Sequence, residues 1–382
     1  MTAAEPCWAV VTGGGTSGHV LPALAIMDRL VMAGHDPSQL YYVGSQRGIE
    51  TRLLPPHGYR TTLLDVVGLQ RSLTLSNLLF VPKMLRATWQ AWRLLGRLRP
   101  QVVVNVGGYA SMPATFAARL RRCPVVVVSY DQRPGLASKV AARFASAVAA
   151  AFPDSPLRRA RTTGAPIRPE IIGIDRAADR HAARSALGLP SDRFVLTVFG
   201  GSLGARVINQ AVGGLVEAWT DRTDVCVYHV VGERFVQEVP SERTAASGIM
   251  YRVIGYEDRM PLLFAASDMM LTRAGASTIA ELAATGTPAI VVPWPDAAEN
   301  HQLENARTLS DVGAAVLLEQ RQLDAARLSA MVDAFVADLE ALVLIGARAR
   351  AEGERHRGDS LIDLITDVAR NDGVARIDEV SR

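Results

Sequence analysis

Apolar runs of strand length recur along the chain, several of them ending at a glycine turn that opens an amphipathic stretch. In the first half they are Trp8 to Thr12, Leu40 to Val43, Gln101 to Val106, Pro124 to Val128 and Ala147 to Phe152. In the second half they are Phe194 to Phe199, Val225 to Val231, Tyr251 to Ile254, a run ending at Thr272, and Pro288 to Val292. Runs this short and this continuously apolar read as parallel strands buried on both faces. Between them, GGGTSGHVLPALAIMDRL, GGYASMPATFAARL and GGSLGARVINQAV each read as a glycine turn opening a helix. The pattern is α/β, a doubly wound sheet built twice. TTGAPIRPE, punctuated by prolines, reads as a linker and places the domain boundary at Gly164–Pro169. Beyond Glu319 the chain reads as helical and Arg/Ala-rich, with about the last ten residues frayed.

One stretch breaks the rhythm. LTLSNLLFVP is an apolar loop or short helix, and Pro82 fits the first position of the helix KMLRATWQAWRLLGRLRP. At helical period Lys83, Arg86, Arg93 and Arg97 share a face, Leu85, Trp92 and Leu95 lie opposite, and Trp89 lies at the boundary. A basic face beside Leu75, Leu78, Leu79, Phe80 and Trp89 suits contact with an anionic membrane surface. The plainer reading is a helix with its tryptophans in the core and its arginines in water.

At 382 residues, 49% hydrophobic and 21% charged, the chain has mass for two cores. A net charge of +3 gives no electrostatic footprint for nucleic acid. Cys7, Cys123 and Cys226 are scattered and form no CxxC, so neither a disulfide framework nor a zinc site is indicated. Met1 to Pro6 lacks a basic segment of the kind that opens a signal peptide, and no apolar run approaches the roughly 18 residues of a membrane span.

Two turns carry candidate chemistry. Gly13, Gly15 and Gly18 fit G-x-G-x-x-G, a weak signal for a dinucleotide site. The second strand ends in Gly44-Ser45-Gln46-Arg47 rather than in the acid a dinucleotide ribose needs. The glycines therefore read as bringing backbone amides close to a phosphate or sugar. His19 follows in the first turn of the helix, where the dipole disfavours imidazolium and leaves a neutral ring able to take a proton; alternatively it is structural, bonded to a loop carbonyl. In Ala274-Gly-Ala-Ser-Thr-Ile-Ala-Glu281 a strand, a small-residue turn and a helix follow one another. Glu281 there either grips hydroxyls or closes a capping box with Thr278.

The ordered set GGGTSGHVLPALA, VGSQRGIETRLLPPHGY, NVGGYASMPA, TGAPIRPE, FGGSLGARVINQ, YEDRMPLLFAASDMMLTRAGASTIAELAATGTPAIVVPWP and ENHQLENA closely resembles the MurG family. The resemblance implies the glycosyltransferase-B architecture, two doubly wound Rossmann-like domains facing a cleft. It gives 1–164 as the acceptor and membrane domain, 165–350 as the donor domain, and 351–382 as a helix returning to the first. It also implies an inverting transfer of N-acetylglucosamine from UDP-GlcNAc to the 4-hydroxyl of the muramyl sugar of lipid I, forming lipid II. The expected place is the cytoplasmic face of the membrane, with cell-wall or division proteins as further partners and no cofactor. No D-x-D pair ends a strand in either half, so a metal clamp is not expected.

Position by position, the resemblance assigns the donor-sugar turn to Thr16, Ser17 and Gly18, with His19 as the histidine that follows it. As a side chain that titrates near neutrality, His19 is the first candidate for general base, with Asp131 and Glu50 as alternatives. It assigns donor contacts to Arg168, to Ser202 in the phosphate turn Gly200, Gly201 and Gly204, and to the backbone near Glu257. It assigns the ribose grip to Ala276, Ser277, Thr278, Ile279, Ala280 and Glu281, and sugar contacts to His301 and Gln302. One departure stands out: where the family commonly has HEQN, this chain has Val128-Ser129-Tyr130-Asp131. Asp131 in place of the sugar-binding amide can accept but not donate.

Overall fold

The computed structural model describes residues 7–66, 68, 80–243 and 248–380, with residues 298 and 371–380 described by their backbone alone. The chain forms two compact units, Met1–Pro169 with Gly358–Arg382, and Glu170–Arg357. The first division falls at the end of the linker Gly164–Pro169, and the second a few residues after 350.

The first unit contains β1 (Ala9–Thr12), β2 (Leu40–Ser45), β3 (Arg60–Leu64), β4 (Val102–Asn105), β5 (Val125–Ser129), β6 (Ala147–Ala150) and β7 (Ala160–Thr162). They form one parallel sheet in the order β3-β2-β1-β4-β5-β6-β7. Its strand order reverses between β1 and β4, where Thr12 pairs with Asn105, and such a switch point is where ligands enter an open α/β sheet. The helices that concern the site are α1 (Ser17–Met32), α2 (Phe80–Leu98) and α3 (Met112–Leu120). Ala87, Ala91, Leu94 and Leu95 of α2 pack with Val103, Val125 and Val127 in one core.

The second unit contains β8 (Phe194–Phe199), β9 (Val225–Val230), β10 (Met250–Ile254), β11 (Met269–Thr272), β12 (Ala289–Val291) and β13 (Val316–Leu317). Their order is β10-β9-β8-β11-β12-β13, with the switch point between β8 and β11. Its helices include α4 (Arg176–Leu187), α5 (Arg206–Ala218), α6 (Ala276–Thr285) and α7 (His301–Ser310). A buried arginine fastens α4: Arg184 donates to the carbonyls of Ala266, Pro190, Ser191 and Arg193 and pairs with Asp268 at 2.6 Å. A guanidinium this deep is tolerable because its donors are satisfied.

The chain then returns to the first unit as α8 (Ser360–Val380), which packs on α1, β4 and β6. The buried Arg29 of α1 ties down its start, donating to the Gly358 carbonyl at 2.6 Å and to Asp359 at 2.9 Å. Three strands were not anticipated: β3, β7 and β13 are short, polar or at a sheet edge, so they carry no apolar run.

Candidate active site

In the first unit the glycine turn follows β1 at the switch point. Gly14 and Gly15 take φ of +135° and +90°, conformations that favour glycine. Glu50 has no exposed surface and lies under this turn. Its Oε1 accepts from the amides of Gly15 at 2.9 Å and Ser45 at 2.8 Å. A Cβ at Gly14 would lie 2.1 Å from that oxygen. A carboxylate sealed from solvent and already holding two amides is a brace for the turn, which weakens its case as a base.

The turn hands over to α1 at Thr16, the N-cap, whose side chain makes no capping bond. Thr16 and Gly18 are exposed, while Ser17 and His19 are half-buried. His19 Nδ1 lies 2.5 Å from the hydroxyl of Tyr130, and that hydroxyl also donates to the Gly18 carbonyl at 2.5 Å. The imidazole is seated on Gly107 and Gly108, where a Cβ would come within 3.3 Å of Cε1 and 2.8 Å of Cδ2. Asp131, half-buried, follows Tyr130 directly, and Arg168 lies in the segment that leaves this unit. Sequence reasoning noted Asp131 but gave Tyr130 no role.

The second unit repeats the plan with its turn open. Gly200, Gly201, Ser202 and Gly204 follow β8 at the switch point, closed by a bond from the Gly204 amide to the Gly201 carbonyl at 2.9 Å. Gly201 is exposed at φ +86°, and a Cβ there would meet nothing within 4 Å. Gly204, at φ +71°, is packed so closely that a Cβ would lie 2.1 Å from the Val231 carbonyl oxygen. Behind it, Asn209 Nδ2 donates to that carbonyl at 2.9 Å, and His229 bridges Asn209 and Tyr251 at 3.1 and 3.0 Å. Burial lowers the His229 pKa to about 3.

Helix α6 starts at Ala276 with Gly275 as its N-cap, without a side-chain capping bond. Thr278 is therefore inside the helix and Glu281 in its second turn, so the capping box does not form. Ala276, Ile279 and Ala280 are buried, whereas Ser277, Thr278 and Glu281 are half-exposed. The turn is held by two residues given no role in sequence reasoning. Asn305 donates to the Ala274 carbonyl at 3.3 Å, and Arg273 to the carbonyls of Val292 and Pro293 and to Gln320.

Burial alone would raise the Glu257 carboxyl, but Arg259 and the Tyr228 hydroxyl hold it at about 2. Both its oxygens are thus engaged within the protein. His301 opens α7 behind Glu299 and Asn300, both at positive φ, and Gln302 Oε1 accepts the Trp294 amide at 2.9 Å. Among the described residues no group of three or more His, Cys, Asp or Glu side chains could hold a metal ion.

On α2 the four cations Lys83, Arg86, Arg93 and Arg97 line one cavity of about 610 Å³ together with Trp89. Leu85, Trp89 and Trp92 are 66%, 54% and 40% exposed, and Leu95 is buried. Leu85 and Trp92 thus part company with Leu95, and the tryptophans are not core residues. Arg93 lies over the Trp89 ring at 4.9 Å and Arg121 over Trp92 at 4.0 Å. Phe80 is half-buried; Leu75, Leu78 and Leu79 lie outside the described residues. No helix among the described residues is long and apolar enough to cross a membrane.

Residues 9–150 match the glycosyltransferase family 28 N-terminal domain and residues 195–356 its C-terminal domain. A protein of Nocardioides sp. named UDP-N-acetylglucosamine--N-acetylmuramyl-(pentapeptide) pyrophosphoryl-undecaprenol N-acetylglucosamine transferase is 41% identical over 94% of this chain and 97% of its own length. A Streptomyces coelicolor protein of the same name is 38% identical over 93% and 96%. The crystal structure of MurG from Acinetobacter baumannii superposes with a TM-score of 0.72 at 24% identity, covering 95% of this chain and 99% of that one, which is a likeness of fold.

Proposed function

Because the chain belongs to the MurG family, the family 28 transferases that move N-acetylglucosamine from UDP-GlcNAc to lipid I, we propose that its two units divide the labour, the second gripping the donor and the first deprotonating the acceptor. In the second unit the Gly200–Gly204 turn, the start of α5 and the Ser202 hydroxyl receive the pyrophosphate, with Arg168 as a further cation. One helix end is worth about 0.3–2 kcal/mol, so several fixed donors must converge on the departing charge. Glu281 takes the ribose hydroxyls, the backbone near Glu257 meets the base, and His301 and Gln302 meet the sugar.

In the first unit His19 removes the proton of the muramyl 4-hydroxyl as it attacks the anomeric carbon, inverting it and expelling UDP. The observation that carries this reading is the pair of turns at the two switch points, one bearing a seated histidine and the other open at Gly201. Radiolabelled UDP-GlcNAc should label lipid I. Label passing to diacylglycerol instead would indicate a different lipid transferase, and donor conversion without acceptor a 2-epimerase.

The acceptor is a lipid, and α2 supplies a surface for it, with Trp89 exposed in the basic cavity and Leu85 and Trp92 exposed elsewhere on the same helix. The protein then lies on the cytoplasmic face of the membrane as a peripheral enzyme. It should float with vesicles of anionic phospholipid and stay behind with zwitterionic ones. Reversing the charges of Lys83, Arg86 and Arg93 together should abolish flotation while leaving UDP-GlcNAc binding intact.

A further inference from the structure

Resting on His19 as the base, we infer that Tyr130 is a positioning residue that decides which nitrogen of His19 takes the proton. In α1 the carbonyl of Gly18 would normally accept from the amide four residues on, and that residue is Pro22, which has none. The Tyr130 hydroxyl supplies the missing donor, 2.5 Å from the Gly18 carbonyl oxygen. A hydroxyl has one proton and a carbonyl can only accept, so that proton is committed. The same oxygen lies 2.5 Å from His19 Nδ1 and can only accept there. His19 therefore carries its own proton on Nδ1, and the lone pair of the neutral ring is on Nε2.

Three neighbours keep the arrangement in place. Gly107 and Gly108 seat the ring. Tyr130 is buried, and burial, with Asp131 beside it, holds its hydroxyl in the protonated form. In the reaction the acceptor's O–H bond breaks and an N–H bond forms at Nε2. The oxygen's electron pair makes the bond to the anomeric carbon, and the carbon–oxygen bond to UDP breaks with its pair leaving on UDP. The imidazolium keeps its Nδ1–H on the Tyr130 oxygen, in a bond strengthened by the new charge.

Ring-nitrogen NMR of His19 in the whole protein, with kinetics of Tyr130→Phe and Pro22→Ala, tests this. The wild type should show the Nδ1–H tautomer. Tyr130→Phe should lose that preference and lower kcat about 10- to 100-fold, within the roughly 10²–10⁴ that a general base supplies. Its KM for UDP-GlcNAc should hold, and the acidic limb of its pH profile should move to lower pH. Pro22→Ala keeps the tyrosine but returns an amide to the Gly18 carbonyl. The freed Tyr130 proton can then face Nδ1, so the ring should shift toward Nε2–H and kcat should fall without a packing defect. An Nε2–H tautomer in the wild type, or an unchanged tautomer in both variants, overturns the inference. Wild-type turnover in His19→Ala would sink the base assignment instead, while the tautomer data would still report on Tyr130.

Discussion

Each unit sets a histidine against a tyrosine, and the two pairs come out with their protons on opposite nitrogens. In the first, the Tyr130 proton is taken by Gly18, so His19 donates through Nδ1. In the second, Asn209 gives its Nδ2 to the Val231 carbonyl and turns its Oδ1 to His229, so His229 donates through Nε2 and accepts from Tyr251. His229 is sealed in the core, where burial leaves it neutral down to about pH 3. His19 is half-buried in the first turn of α1, which follows the switch point. The same residue pair is a fastener in one unit and a candidate base in the other. What separates them is where the partners spend their own protons and whether a substrate can arrive.

The glycine turns differ in the same sense. That of the first unit is closed from beneath by Glu50, and that of the second stands open at Gly201.

The largest test of the contrast is to remove each histidine. His19→Ala should cut turnover about 10²–10⁴-fold with donor affinity and thermal midpoint nearly unchanged. His229→Ala should leave turnover per folded molecule intact and cost about 3 kcal/mol of stability, since it opens a cavity and strands buried polar groups. Equal losses of turnover in the two variants would end the distinction.

Acid comes next. His229 and His356, both in the second unit, have pKa values lowered from 6.5 to about 3 by burial, with Arg355 contributing at His356. Below about pH 6.5 their unfolded forms bind protons that the folded forms refuse. Stability is therefore full above that pH and lost as pH falls toward 3. At about pH 5 each costs roughly 2 kcal/mol, so denaturant melts should show the second unit weakening; a flat profile from pH 7 to 5 refutes the assignment.

Glu281→Ala should weaken UDP-GlcNAc about 10- to 100-fold, the worth of a hydrogen bond to a charged group, as read by calorimetry. Unchanged affinity would make Glu281 a bystander on α6.

The open turn of the second unit gives the smallest effect. Gly201→Ala meets no atom and should cost only about 1–2 kcal/mol for its φ, with a loss of donor affinity. The same change at Gly14 meets Glu50 and should prevent a stable first unit.

Much of this was legible because burial on both faces leaves an unmistakable apolar run, as at Val125–Ser129 and Phe194–Phe199. β3 escaped because RTTLL sits at a sheet edge, and β13 because two residues carry no pattern. The turns were legible too, since glycine chemistry is local. Glu50 on Gly15 and Tyr130 on His19 bridge separations of 35 and 111 residues, which no spacing rule reaches. A partial signal existed: Pro22, four residues after Gly18, announces a carbonyl in need of a donor. On α2, period gave the faces of the helix but not which of them α3 would cover.

The return of α8 to the first unit has a consequence for assembly during synthesis. The second unit is one continuous segment, so it can fold as soon as it has left the ribosome. The first is discontinuous: its sheet forms early, yet the partner of Arg29 and the cover over β4 and β6 arrive only after residue 357. The unit made first is thus finished last, its packing incomplete until the segment after residue 357 has been made.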